Sequence, residues 1–503
     1  MDILNHILFG FGVAFQPVNL LFCFLGVLIG TLVGVLPGLG PVAAISLLLP
    51  ATFHAPPVAS IIMLSGIYYG AMYGGSTTSI LVNIPGEAAS VVTCFDGYQM
   101  ARKGRAGAAL GIAAFGSFIA GTLGVVGLAF FAPPLAAVAL KFGPPEYFSL
   151  MVLGLTVLTF LAGGSMLKSL MIACVGVTIG NIGLDLITAQ PRFTFGLGIL
   201  LDGVGLVPLV MGLFGVSEVL LNVEEKLSER EVFKTAFKGL LPSLRDWKGS
   251  IWPMIRGSVL GFFLGILPGG GAVISSFVSY GVEKKFSKHP EEFGKGAIAG
   301  VAGPEAANNS ATAGAFIPLL TLGLPSNAVM AILLGALMIY NMPPGPRLIT
   351  SHPDLFWGVI TSMYIGNAML LVLNLPLISL WVQILKIPYP VLFPLILLFC
   401  LIGAYSLNNN PQEIGLMLLF GVLGYLMKKF KYDGEPLVLA MVLGPLMDQS
   451  LRQSLLLSGG IGMIFFTRPI CLTIFLAIAV ILLLPLLPLI SRMRKRVGEV
   501  KEG

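Results

Sequence analysis

The stretch GVLPGLG at Gly34 to Gly40 recurs as GILPGGG at Gly265 to Gly271, 231 positions further along the chain (34 to 265). Each copy ends an apolar run with Pro and Gly, which interrupt a helix by removing an amide donor and by admitting left-handed backbone. Within hydrocarbon-length segments such interruptions survive only where other groups re-satisfy the freed backbone. A pair of them in corresponding places points to a carrier with two related halves. The turn positions are Pro37, Gly38 and Gly40 in the first copy and Pro268, Gly269 and Gly271 in the second.

The rest of the composition demands a membrane. Of 503 residues 56% are hydrophobic and 10% charged, with mean hydropathy +0.94, whereas soluble chains carry about 25% charged residues. The 63 glycines and 34 prolines suit membrane helices better than soluble ones. Cys23, Cys94, Cys174, Cys400 and Cys471 are scattered through or beside apolar segments without a C-x-x-C pair, so they read as small core residues. His6, His54, His289 and His352 fall in or near polar loops and form no H-E-x-x-H, which removes support for metal catalysis. No G-x-x-x-x-G-K-[ST] occurs, so the glycine turns are not phosphate loops and ATP hydrolysis is not expected. Asp2 stands where a secretory leader needs a basic residue, and the N-terminus reads as mature.

Lys and Arg are retained on the cytoplasmic side and therefore orient the chain. They cluster at 102–105, 226–248, 284–288, 428–431 and 492–496, while connections such as 52–57 and 408–413 carry none. Apolar spans near 58–97, 106–131, 145–163, 166–188, 196–221, 296–340, 355–380, 388–407, 412–427, 434–448 and 460–490 make about eleven crossings. This places the N-terminus outside and the C-terminus inside, provided that Val18 to Pro50 and Ile251 to Tyr280 are re-entrant hairpins that enter and leave on one face. The first then opens outward and the second inward, which is an inverted repeat. The expected fold is an all-α polytopic membrane protein of two inverted-topology repeats, each with a re-entrant helical hairpin and a broken transmembrane helix. Its parts are an N-terminal repeat (1–221), a cytoplasmic amphipathic linker (222–250), a C-terminal repeat (251–491) and a basic cytoplasmic tail (492–503).

Each half carries a second, polar interruption. GGSTTSILVNIPGEAAS runs from Gly74 to Ser90, and GPEAANNSATAGAFIPLLTLGLPSNA from Gly303 to Ala328. In both, a Ser/Thr/Asn cluster precedes a Pro-centred break: Ser76, Thr77 and Thr78 before Pro85 and Gly86; Asn308, Asn309, Ser310 and Thr312 before Pro325, Ser326 and Asn327. A broken helix frees carbonyls at one end, which suit Na⁺, and amides at the other, which suit a carboxylate. Substrate is therefore expected at Ser76, Thr77, Thr78, Asn83, Pro85, Gly86, Asn308, Asn309, Pro325, Ser326 and Asn327. The cation is expected among Thr78, Asn83, Glu87, Glu305, Asn309, Ser310 and Thr312.

Glu87 and Glu305 lie beside the broken elements, and an ionised side chain at mid-bilayer costs roughly 2.5 to 3.5 kcal/mol. Glu305 can cap freed amides or hold a cation. Lys168, Arg256 and Arg347 read as interfacial anchors, so an anion would rely on amides and hydroxyls. Moving a trivalent anion inward against 100 mV costs about 7 kcal/mol, which co-transported cations offset.

These motifs, GVLPGLGPVAA, YYGAMYGGSTTSILVNIPGEAASVVTCFDGYQMARKGRAG, GILPGGGA and GPEAANNSATAGAFIPLLTLGLPSNAVMAILLGA, resemble the large permease subunit of the tripartite tricarboxylate transporters, the TctA-like proteins. The resemblance extends to about Pro346, and beyond it matches in hydropathy and length alone. It implies a bacterial inner-membrane permease, a small membrane partner of about four helices (TctB-like), and a periplasmic solute-binding protein (TctC-like). It further implies import of a carboxylate such as citrate with an ion gradient, generally Na⁺, with H⁺ as the alternative coupling ion; the hairpins and the inversion lead us to expect alternating access of the elevator type, in which one bundle carries the site past a fixed scaffold. The competing readings are a channel, which needs a continuous polar pore, and an intramembrane enzyme, in which Ser76 or Ser310 would need a His or Lys partner that the apolar segments lack.

Overall fold

A computed structural model describes residues 3–36, 40–161, 165–185, 187–224, 240–269, 271–385 and 389–483. The chain is helical almost throughout. The exception to the all-α expectation is a two-residue antiparallel ladder, Gly183 with Arg192 and Leu184 with Pro191. It forms because Asp185 caps the turn through the amides of Ile187 and Thr188, at 2.9 and 2.7 Å. Among the described residues six helices are long and apolar enough to cross a bilayer: Pro17–Val35, Pro57–Val82, Ala106–Ala139, Leu206–Glu224, Leu244–Ile266 and Pro353–Asn374. The span expected at 296–340 is two helices, Ala299–Leu322 and Ala328–Ile339. The one expected at 460–490 begins as a short turn of helix, Ile464–Thr467, followed by Pro469–Leu483.

A glycine-based packing device sets the centre of the molecule, and it occurs twice. In the first glycine helix, Pro17–Val35, Gly26, Gly30 and Gly34 lie one turn apart on one face. A methyl group on any of them would collide with the carbonyl oxygen of Met63, Ile67 or Ala71 in the first central helix, Pro57–Val82. In the second glycine helix, Leu244–Ile266, Gly257, Gly261 and Gly265 meet the carbonyls of Gly303, Ala307 and Ala311 in the second central helix, Ala299–Leu322. Small residues at four-residue spacing let backbones approach this closely where lipid offers no hydrophobic drive for helix association. In each pair the contact numbers rise together, so the helices run parallel.

A parallel pair requires the chain between its members to come back. The return helices are Gly40–Thr52 and Gly271–Phe286. At 13 and 16 residues they reach about 20 and 24 Å, short of the ~30 Å hydrocarbon core. Gly40 and Gly271 begin them at φ 45° and 36°, and Gly269 turns at φ 73°, left-handed values that favour glycine. Pro37 and Gly38 of the first turn lie outside the described residues, as do 225–239 of the expected linker and the basic tail at 492–503.

The second glycine helix starts at Leu244, seven positions before the expected Ile251. Ser243 and Asp246 form a reciprocal capping box there, with the Asp246 amide donating to Ser243 Oγ at 3.2 Å. Arg256, expected as a lipid-interface anchor, forms a two-pronged pair with the buried carboxylate of Glu283 on the return helix. That pair ties the two arms together.

Candidate functional site: two helix breaks around one cavity

Both central helices end the same way. The first closes on Asn83 in the left-handed region (φ 60°) and the second on Gly323 (φ 69°). Asn and Gly tolerate that region best, and it stops a helix cleanly. At the second break Gly323 N donates to Leu319 O at 3.0 Å and Leu324 N to Pro318 O at 3.1 Å, which satisfies the final carbonyls. Two residues on stands a proline, Pro85 or Pro325, which cannot continue the helix. Two further on, a new helical segment starts with a side-chain cap: Glu87 accepts from Ala89 N, and Asn327 Oδ1 accepts from Met330 N at 3.0 Å.

The interruptions Asn83-Ile84-Pro85-Gly86-Glu87 and Gly323-Leu324-Pro325-Ser326-Asn327 are thus in register, 240 positions apart (83 to 323). The carbonyl partners of the glycine helices keep that same offset, 63 to 303 and 71 to 311. By this register the polar clusters are not equivalent. Ser76, Thr77 and Thr78 align with Phe316, Ile317 and Pro318, whereas Asn308 and Asn309 align with Tyr68 and Tyr69.

Each break is held against the turn of its own half. A methyl group on Gly86 would strike the carbonyl oxygen of Gly34 and come within 2.5 Å of Gly75 Cα. In the second half Gly269 N donates to Ser326 O at 2.8 Å. Both turns and both breaks then open on one cavity of about 470 Å³, walled by Gly40, Pro85, Gly86, Glu87, Gly269, Gly271, Asn327 and Ala328 among others. Four helical segments begin at its wall, at Gly40, Ala88, Gly271 and Ala328, and at two of them a side chain already caps an amide, Ala89 N by Glu87 and Met330 N by Asn327. Among the described wall residues the only cation is Lys428, and its ammonium pairs with Glu218. Glu87, Glu218, Asp433 and Glu435 supply the carboxylates of the wall, and Tyr68, Phe214 and Tyr432 its aromatic surface.

Most of the remaining expected residues fall in a buried seam between the central helices and their neighbours. Glu305, fully buried, accepts from Ser76 Oγ at 2.6 Å, from Thr93 Oγ1, and from Asn308 Nδ2 at 3.3 Å. Asn309 Nδ2 donates to Ser117 Oγ of the Ala106–Ala139 helix at 2.8 Å and to Asn308 Oδ1 at 2.5 Å, while Thr312 Oγ1 donates to Asn309 O at 2.6 Å. Thr78 Oγ1 donates to Val35 O, at the end of the first glycine helix, at 2.7 Å. Thr77 is buried near Ser76 and Ser117, and Asn83 is exposed. Ser310 Oγ, Ser326 Oγ and Glu87 Oε1 are buried and have no hydrogen-bond partner among the described residues.

Two contributors escaped the sequence reading. Tyr68 accepts at its hydroxyl from Asn327 Nδ2, 3.1 Å away, and lines the cavity. Asp96 is fully buried on a π-helical turn, Cys94–Tyr98. It accepts from the amides of Gly294, Gly296 and Ala297 at 2.9, 2.7 and 2.8 Å and from Tyr280 Oη at 3.0 Å. It joins the segment after the first break to the start of the second central helix. Its only trace in sequence was an acid in an apolar run that was counted as part of a span.

The family described as the tripartite tricarboxylate transporter TctA family matches residues 20–439. A relative named as an uncharacterized 52.8 kDa protein in the TAR-I ttuC' 3' region of Agrobacterium vitis is 54% identical over 488 residues, 96% of this chain and 97% of the relative. A second Agrobacterium vitis protein, named for the TAR-II ttuC' 3' region, is 51% identical over 237 residues, 47% of this chain and 98% of its own length. No solved structure matches the chain.

Proposed function

The chain belongs to the TctA family, the large multi-pass membrane subunit of tripartite tricarboxylate transporters and not an enzyme, and we propose that it imports citrate-like carboxylates by cation symport, probing the substrate in the cavity between the two breaks. The observation that carries this reading is the convergence of both glycine turns and both breaks on one cavity of about 470 Å³. Backbone amides at the helix starts that carry no acidic cap, above all the one at Ala328, bind carboxylate oxygens, and Asn327 and Gly86 present amide and bare backbone beside them. The near absence of free cations in the wall keeps the anion's hold weak enough for release. Na⁺ is the proposed coupling ion, drawn by the carboxylate oxygens of the cavity wall.

The two halves act as an inverted repeat. The offsets of 231 residues for the glycine helices (26 to 257) and 240 for the central helices (63 to 303) support the duplication, and the distribution of Lys and Arg supports the inversion. The N-terminus then lies in the periplasm and the C-terminus in the cytoplasm. Alternating access carries the site past a scaffold, in an elevator-like movement. A small membrane subunit and a periplasmic solute-binding protein complete the system, the latter delivering the carboxylate to the outward face.

The test is uptake of radiolabelled citrate into proteoliposomes containing this chain, its small membrane partner and its binding protein. Uptake that needs both the receptor and an inward Na⁺ gradient is the expected result. Uptake unaffected by every cation gradient would overturn symport, and no uptake of citrate or other carboxylates would overturn the carrier reading itself.

A further inference from the structure

Glu87 and Asn327 occupy the same position in two breaks that are otherwise in register, the one an ionisable carboxyl and the other a neutral amide. Both line the cavity. Glu87 is 7% exposed. One of its carboxylate oxygens accepts from Ala89 N, and the other, Oε1, has no partner among the described residues. Asn327 is engaged at both ends, accepting from Met330 N and donating to Tyr68 Oη.

Electrostatics makes these two helix starts unequal. A carboxylate seated on the amides at Ala88 to Ser90 cancels the partial positive charge there, so a second anion is repelled from that end. The start at Ala328 is capped by a neutral amide and keeps its attraction for anions. Conversely, a buried carboxylate oxygen without a donor, on a cavity wall, is a ligand for a cation. The other acids of the wall are placed differently, since Glu218 is paired with Lys428, Asp433 is exposed and Glu435 begins its own helix.

We infer that the two breaks divide the charges between them: Glu87 binds the monovalent cation that travels with the substrate, and the break at Asn327 receives one substrate carboxylate. This rests on the cation-coupled carrier reading. It deepens that reading by setting apart Glu87, whose buried Oε1 has no hydrogen-bond partner among the described residues, from Glu305, whose oxygens are occupied by Ser76, Thr93 and Asn308. Cation and carboxylate share one cavity, so each strengthens the binding of the other by the same factor.

Thermal stabilisation of the purified chain by Na⁺ alone and by citrate alone tests the division. Wild type should respond to both. Glu87→Gln, which can still accept from Ala89 N, should need at least tenfold more Na⁺ for half its stabilisation and keep its citrate midpoint within threefold. Asn327→Ala should show the reverse. A Glu87→Gln midpoint for Na⁺ within twofold of wild type, parallel losses of both responses in both variants, or a wild type insensitive to Na⁺, Li⁺ and K⁺ would each overturn the inference.

A second measurement needs no variant. Modification of Glu87 by dicyclohexylcarbodiimide, followed by peptide mass spectrometry, should slow at least fivefold in Na⁺ relative to choline, and an unchanged rate would contradict the assignment. Receptor-dependent uptake with Glu87 unprotected would defeat this inference and leave the carrier reading standing, whereas protection of Glu87 without any uptake would defeat the carrier reading and with it the claim that the bound cation travels with a substrate.

Discussion

Ser76 Oγ of the first central helix donates to Glu305 Oε2 of the second at 2.6 Å, a bond between residues 229 positions apart in sequence. The two halves therefore meet through a buried carboxylate surrounded by donors and not through apolar packing alone. Leaving a buried polar group without its partner costs about 1–3 kcal/mol. Ser76→Ala is accordingly expected to lower stability by about 1–2 kcal/mol, and Glu305→Ala, which orphans Ser76, Thr93 and Asn308 together, by more. Thermal melts of detergent-purified protein check this. Equal melting temperatures for wild type and Glu305→Ala would show that the seam does not brace the halves.

The glycine helices make a sharper prediction. Gly34→Ala and Gly265→Ala should each place a methyl group against a backbone carbonyl, Ala71 or Ala311, and overpacking of this kind costs about 1–3 kcal/mol. Gly12→Ala and Gly281→Ala, where an added Cβ meets nothing within 4 Å, should be neutral or slightly stabilising. Folded yield by size-exclusion chromatography separates the two classes.

Asp96 clamps the loop before the second central helix through three backbone amides. Asp96→Ala should free those amides, so hydrogen exchange at Gly294 to Ala297 should accelerate by at least tenfold while exchange in the Pro57–Val82 helix stays slow. Uniform acceleration through both regions would mean that Asp96 supports global stability and not a local clamp.

How much of this was legible in the sequence can be followed residue by residue. The breaks at Pro85 and Pro325 and the turns at Pro268 and Gly271 were visible because Pro and Gly act on their own backbone, so the signal is local. The start at Leu244 was also written locally, as the Ser243 and Asp246 capping box, but lay hidden among the charges of the linker. The pairing of Arg256 with Glu283 was not legible, because side chains 27 positions apart meet only once the return helix has folded back. The same holds for the split of the polar residues into a cavity group around Glu87 and Asn327 and a seam group around Glu305 and Asn309. Composition gives Asn308 and Asn327 one meaning, and only tertiary packing sends one toward Glu305 and the other to a cavity wall.

The central claim is that the two return helices and the two breaks enclose one carboxylate site. Val42 and Val273 sit on opposite return helices and both line the cavity. The direct measurement is the rate of maleimide labelling of Val42→Cys and Val273→Cys, in proteoliposomes that take up citrate, with and without citrate, against Ser351→Cys, exposed in a connection outside the cavity, as control. Citrate should slow labelling severalfold at both 42 and 273 and leave 351 unchanged. Protection at neither position, while uptake proceeds, would contradict that claim.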